Sequence, residues 1–205
     1  MGGVTVIVGT FGDSSWEHLA RSRAIPSIDG QAPYIHCHRD TLAEARNAAL
    51  EMVATEYVIH LDADDQLTSG YVDAMLTGTA DVRAGSMEQV RGRRIRHFMP
   101  KVWGHEHDCE PDCLRVGNYI HIGALARTSL LRGVGGWREF GWSEDWDLWL
   151  RCRRAGASIE SIPEAIYRAH YSATSRNHAP SAAEKAHWHK EIYEANFPDA
   201  VADAA

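Results

Sequence analysis

Cysteine is scarce in this 205-residue chain, and Cys37, Cys109, Cys113 and Cys152 are too few and too scattered for a disulfide framework. Reduced thiols and a cytoplasmic location are the expectation that follows, with Cys37 and Cys152 as small buried hydrophobes. Long apolar runs are missing as well: none approaches the roughly 18–20 residues that cross a bilayer. The opening Met1-Gly2-Gly3-Val4 has no basic stretch leading into an apolar one, so no secretory signal is expected. Positive charge is in deficit. A formal net charge of −7 argues against bulk nucleic-acid binding, which needs basic surface to displace counterions. No internal repeat, low-complexity linker or domain break interrupts the chain, so one domain over 1–205 is expected.

What is present begins with alternating strands and helices. Val4 to Val8 is a β-branched run of the kind buried in parallel sheets, ending in a Gly9–Asp13 loop. Ser14 or Ser15 caps a first helix that Pro26 ends. Tyr34–His38 reads as a second strand. Thr41-Leu42-Ala43-Glu44 has the form of a capping box opening a helix to about Ala54. Tyr57–Leu61 is a third strand, and Thr68 or Ser69 starts a third helix. This alternation predicts a βαβ sheet.

Beyond residue 80 the pattern changes. Val82–Val90 and Arg94–Met99 predict an antiparallel hairpin around Arg91-Gly92-Arg93, Lys101–Gly117 a long loop, and Ile120–Ala126 a strand. Leu130–Trp137 reads as a short helix. A further helix from Asp145 stops near Gly156, Ile159–Ile162 and Ala165–Ala169 read as short strands flanking Pro163, and a second capping box, Ser181 to Glu184, opens a C-terminal helix.

Two acidic signatures about eighty residues apart carry the chemistry. Asp62-Ala63-Asp64-Asp65 follows the apolar strand Tyr57–Leu61, where carboxylate oxygens at a strand end suit a hard divalent cation. Ser143-Glu144-Asp145-Trp146-Asp147 opens a helix, where a carboxylate is placed to take a proton. Each has a plainer explanation, an Asp-rich turn or an acidic first helical turn. Their joint occurrence with Ala45-Arg46-Asn47 and Tyr167-Arg168-Ala169-His170 favours a site.

On these motifs, together with Gly133-Val134-Gly135-Gly136-Trp137, the chain resembles the family 2 inverting glycosyltransferases of GT-A fold from Val4 through His170. The resemblance implies an α/β, GT-A-like domain with a nucleotide-sugar half over about 4–100 and an acceptor and base half over about 101–197. It places Thr10, Phe11 and Arg46 around the nucleotide base and Asp62 at the ribose or metal. Asp64 would ligate Mn2+ or Mg2+ at the donor diphosphate, with His170 as a further metal or phosphate contact. Asp145 is the implied catalytic base, with Glu144 beside it supporting the helix start or orienting the acceptor. The implied donor is a nucleotide-sugar, a UDP-sugar first, and the acceptor a hydroxyl on a carbohydrate, lipid-linked sugar, protein or modified base. Two segments depart from the family pattern. Gly9-Thr10-Phe11-Gly12 stands where Pro-Thr-Tyr-Asn is usual, and His36-Cys37-His38-Arg39-Asp40 replaces an acidic turn. Either Asp40 or His38 substitutes for the missing carboxylate, or the base is not uracil.

The residues bear on two other activities. A nucleotidyltransferase would want Lys or Arg in a Gly-rich loop after the first strand, and Gly9–Asp13 has neither. A non-catalytic nucleotide-sugar or zinc-binding module would bind without turnover. His105, His107, Cys109 and Cys113 are zinc-type ligands, but their crowded spacing is unlike a finger or knuckle, so no structural zinc is expected. Arg91, Arg93, Arg94 and Arg96 read as a solvated hairpin tip ahead of an anionic-acceptor contact. His60 reads as a core residue and His121 as a weak site candidate. Of the seven tryptophans, Trp137, Trp142 and Trp146 fall near Asp145, with packing as the default and a sugar-stacking wall as the alternative.

Overall fold

The apolar run at the N-terminus forms a strand because it is paired on both sides. A computed structural model describes residues 3–99, 113–171 and 181–198. In it β1 (Val4–Phe11) lies parallel to β2 (Tyr34–Arg39) and to β3 (Tyr57–Asp62). Val6, Ile7 and Val8 are fully buried. Gly9-Thr10-Phe11, expected as a loop, continues β1, because β2 supplies partners through the pairs Gly9 with Cys37, Thr10 with His38 and Phe11 with Arg39.

Between β1 and β2 runs a helical segment of three pieces: α1 (Ser15–Leu19), a π-spaced turn over Ala20–Ala24, and α2 (Ile25–Ile28). Pro26 does not end this segment as expected. It sits in the first turn of α2, where a missing N–H leaves no bond unmade. Ser14 makes no side-chain cap; Asp13 Oδ1 accepts from the Ser15 N–H instead, at 2.8 Å. The helix α3 (Leu42–Met52) opens on the expected capping box, Thr41 with Glu44.

After β3 the chain makes β4 (Gln66–Leu67) and α4 (Tyr71–Leu76), entered through Gly70. The expected hairpin follows as β5 (Val82–Arg91) and β6 (Arg94–Phe98). A short α5 (Cys113–Val116), β7 (Leu125–Arg127) and α6 (Thr128–Gly133) then lead to α7 (Glu144–Arg154). Gly156, at φ 85°, closes α7 as expected. The two short strands flanking Pro163 are one strand, β8 (Ile159–His170), with extra residues bulged out where its register against β5 jumps from Ile162 to Ile166. The last helix, α8 (Ala182–Asn196), starts on the Ser181–Glu184 capping box.

All eight strands form one mixed sheet in the order β2-β1-β3-β7-β5-β8-β4, with β6 on β5. Helix α3 packs on β1 and β2, α4 on β8, and α7 on α8. Trp149, Tyr71 and Tyr167 are the bulkiest of the fully enclosed side chains in the core. Cys37 and Cys152 are buried free thiols, as expected. The residues His105, His107 and Cys109 lie outside the described residues, as does the side chain of Cys113. No helix among the described residues is long and apolar enough to cross a membrane.

The helix α7 is anchored by a buried carboxylate. Asp147, completely enclosed, accepts from Arg151 at 2.8 and 2.9 Å and from Asn196 Nδ2 at 2.8 Å, joining α7 to α8. Removing one member of such a pair leaves a buried charge uncompensated, at a cost of roughly 3–5 kcal/mol. Asp147→Ala should therefore lower the unfolding free energy by about that amount in urea titrations, far more than the 0–1 kcal/mol typical of an exposed pair.

Candidate active site

The C-terminal ends of β1, β3 and β8 converge with the N-terminus of α7. In sheets of this kind ligands bind outside the carboxyl ends of parallel strands. Two cavities open there. The first is lined by Thr10, Phe11, Trp16, Asp62, Asp64 and His170, among others. The second, of about 510 Å3, is lined by Met87, Asn118, Trp142, Glu144, Asp145 and Tyr167, among others. Asp62, Asp65, Ala169 and Tyr171 line both.

The turn after β3 brings carboxylate oxygens of Asp62, Asp64 and Asp65 within 4.8 Å of one another. Its shape is set from outside. Arg23 donates to the Asp64 carbonyl at 2.8 Å, and the Asp65 N–H donates to the Asp62 carbonyl. Asp65 is held by the Tyr167 hydroxyl at 2.8 Å and the His170 N–H at 2.7 Å. Burial, then the charges of Asp64 and Asp62, push its pKa well above the usual carboxylate range. Crowded oxygen donors with surplus negative charge fit a hard divalent cation, which relieves the repulsion. Sequence reasoning gave Asp65 no role, and only its adjacency to Asp64 hinted at one. His170 is placed beside this turn, with its ring Nε2 at 2.8 Å from the Gln66 amide oxygen and its pKa lowered by burial.

Arg46 links the two acidic signatures. It projects from α3, is buried, and donates to Asp62 Oδ1 at 2.7 Å and to Glu144 Oε1 at 3.0 Å. Burial would pull its pKa down, but the charges of Asp62 and Glu144 outweigh that and raise it. Its guanidinium lies 4.2 Å from the centroid of the Trp137 ring. Gly9 makes room for this stem, since a Cβ there would sit 3.0 Å from Arg46 Cγ. Thus Arg46 lies between the two carboxylates, and the first cavity is lined without it.

Thr10 is buried, with its hydroxyl 2.9 Å from His36 Nε2 and 3.1 Å from His38 Nδ1. Asp40 lies in a separate open cleft with His38, Glu44 and Asn47. Trp137 and Trp146 are packing residues: their indole N–H groups donate to His60 Nε2 and to the Leu114 carbonyl. His60 is a core residue, as expected. Trp142 instead lines the second cavity beside His189, at 5.1 Å between ring centroids. His121 also lines it, but both ring nitrogens are engaged, with the Gly85 carbonyl and the Gly123 N–H. Burial holds its pKa down at about 4, so it stays neutral.

Asp145 begins α7 behind Ser143, which adopts the left-handed φ of 57°, sparsely populated by non-glycine residues. Its Oδ1 accepts the Trp146 N–H at 2.9 Å. Burial first, and the charge of Glu144 second, raise its pKa to about 7. A carboxylate with this pKa is matched to accepting a proton near neutrality.

The glycosyl transferase family 2 model matches residues 12–110, just under half of the chain. Those residues are a family 2 glycosyltransferase segment. Solved structures share the wider fold. S. aureus TarS 1–349 in complex with UDP-GlcNAc superposes with a TM-score of 0.67 at 15% identity, covering 96% of this chain and 67% of that one. The mannosyltransferase PcManGT from Pyrobaculum calidifontis, in complex with GDP-Man and Mn2+, gives 0.59 at 17% identity over 97% and 65%. The chain thus spans about two thirds of each. No curated protein matches the sequence. The expected α/β, GT-A-like architecture is the observed one, and the family 2 segment contains Asp62-Ala63-Asp64-Asp65.

The raised pKa of Asp145 has a stability signature. Its folded value of about 7 exceeds the ordinary 3.8, so the native state binds the proton more tightly than the unfolded chain. That contribution is complete below the unfolded pKa and is lost as pH rises through 7. Asp145→Asn cannot ionise. Its melting temperature relative to the parent protein should rise from pH 5 to pH 8; a constant difference would show that Asp145 titrates normally.

Proposed function

We propose that this family 2 glycosyltransferase moves a sugar from a nucleotide-sugar, a UDP-sugar first, to an acceptor hydroxyl with inversion at the anomeric carbon. The observation carrying this reading is the placement of Asp145, at a pKa of about 7, in a cavity that shares Asp62 and Asp65 with the carboxylate turn. The first cavity takes the donor. Asp62 and Asp64, with Asp65 alongside, would hold Mn2+ or Mg2+, which would supply positive charge to the diphosphate leaving group. The neighbours' complexes with UDP-GlcNAc and with GDP-Man and Mn2+ support a nucleotide-sugar and a divalent cation. Thr10 and Phe11 line the base side, with Asp40 as a further candidate for base contact.

The acceptor enters the second cavity. Asp145 takes the proton from its hydroxyl as the oxygen attacks the anomeric carbon and the bond to the diphosphate breaks. One displacement of this kind inverts the configuration. Glu144 does not compete for the proton, because Arg46 occupies its Oε1. Arg46 also turns Asp62 toward the donor side while holding the base helix in register with it.

Two substitutions separate binding from chemistry. Asp64→Ala should abolish Mn2+-dependent binding of UDP in calorimetric titration, with GDP as the comparison base. Asp145→Asn should retain that binding and lower transfer by about two to four orders of magnitude, the scale of general-base catalysis. In the parent protein, transfer should rise with pH and level off above about 7, as Asp145 ionises. A fully active Asp145→Asn protein would remove the mechanism.

A further inference from the structure

The β5–β6 hairpin has two faces of opposite electrostatic character. On one, Glu88 is opposite His97 on β6 and Arg168 on β8; it accepts from Arg168 at 2.8–2.9 Å and lies 3.6 Å from His97 Nδ1. On the other, the pairs Met87 with Phe98, Gln89 with Arg96, and Arg91 with Arg94 follow one another toward the tip. Side chains two residues apart share a face about 7 Å apart. Met87 and Phe98 line the second cavity, so this row leads outward from it. Tyr171, also lining the cavity, is hydrogen-bonded by Gln89 and has Arg91 stacked 4.8 Å above its ring.

The arginines of this row are exposed, and among the described residues no carboxylate pairs with Arg91, Arg94 or Arg96. Elsewhere Arg46, Arg83, Arg127, Arg138, Arg151 and Arg168 each meet a carboxylate. In a chain of net charge −7, three guanidiniums on two neighbouring rungs, without a carboxylate partner among the described residues, are a local concentration of positive charge. Charge on an edge strand does prevent unwanted sheet pairing. That task is indifferent to face, whereas these charges share the face that continues into the cavity.

We infer that the acceptor is an anionic saccharide chain, bearing carboxylate or phosphate groups, which runs from the second cavity along Arg96, Arg94 and Arg91. The planar guanidinium suits both anions through paired hydrogen bonds. An extended chain is favoured because the charges occupy two successive rungs about 7 Å apart that lead away from the cavity, Arg96 on the nearer and Arg94 beside Arg91 on the farther. Aromatic surface at Trp142 and Tyr171 receives the sugar rings at the cavity end. This inference rests on the second cavity being the acceptor site.

The test is binding to the full chain of three probes: a galacturonate hexamer, a mannose 6-phosphate-bearing oligosaccharide, and neutral maltohexaose. At 50 mM NaCl at least one anionic probe should bind at least tenfold more tightly than maltohexaose. The preference should shrink at 300 mM, as screening shortens the range of charge. Arg94→Glu/Arg96→Glu should weaken that binding tenfold or more and leave Mn2+-dependent UDP binding unchanged. Arg154→Glu, the same charge reversal at the far end of α7, should change neither. Equal binding of neutral and anionic probes, or undiminished binding by the double variant, overturns the inference. With anionic phospholipid vesicles added as a fourth probe, binding to vesicles alone that the double variant abolishes also overturns it and would make the hairpin a membrane contact. Absence of nucleotide binding in the parent protein would instead count against the donor assignment, whatever the saccharide result.

Discussion

The buried guanidinium of Arg46 is the constraint on which the site depends. Its two ion pairs connect the end of β3 to the start of α7, elements separated by eighty residues of chain. A buried charge is costly unless paired and fully hydrogen-bonded. Two carboxylates and a tryptophan face meet that condition here, and each is thereby fixed in position. Lysine would not replace it, because one ammonium cannot present two parallel donor edges while lying flat on an indole. The relation of the carboxylate turn to the start of α7 is thus set by a group that lines neither cavity.

The same pairing distributes charge unequally among the acids. Asp62 and Glu144 are paired with Arg46, whereas burial and the charges of neighbouring carboxylates push Asp65 and Asp145 toward their protonated forms. The acidic turn calls for a cation, and the helix start offers a base.

Much of this was legible in the sequence where the signal is local. Both capping boxes, the Gly156 stop, the hairpin and the two acidic signatures rest on residues within a few positions of one another. The rest depended on distant partners. Whether Gly9-Thr10-Phe11 is loop or strand is decided by β2, some 28 residues on. Pro163 looked like a strand break, but β8 absorbs it in a bulge because β5 pairs on either side. Arg46 was picked out by its motif, yet its ion pairs came from tertiary packing. Asp147 and Arg151 show the intermediate case: their helical spacing is visible, but their burial against Asn196 is not.

Tyr171 and Ala169 at the end of β8 form a partition with a chamber on each side. A partition one strand thick has no independent surfaces. Any side chain that changes the volume of one chamber displaces the wall of the other. If the two chambers take donor and acceptor as proposed, their kinetic constants are not separable observables at these positions, and a new acceptor preference gained through β8 would carry a change in donor affinity.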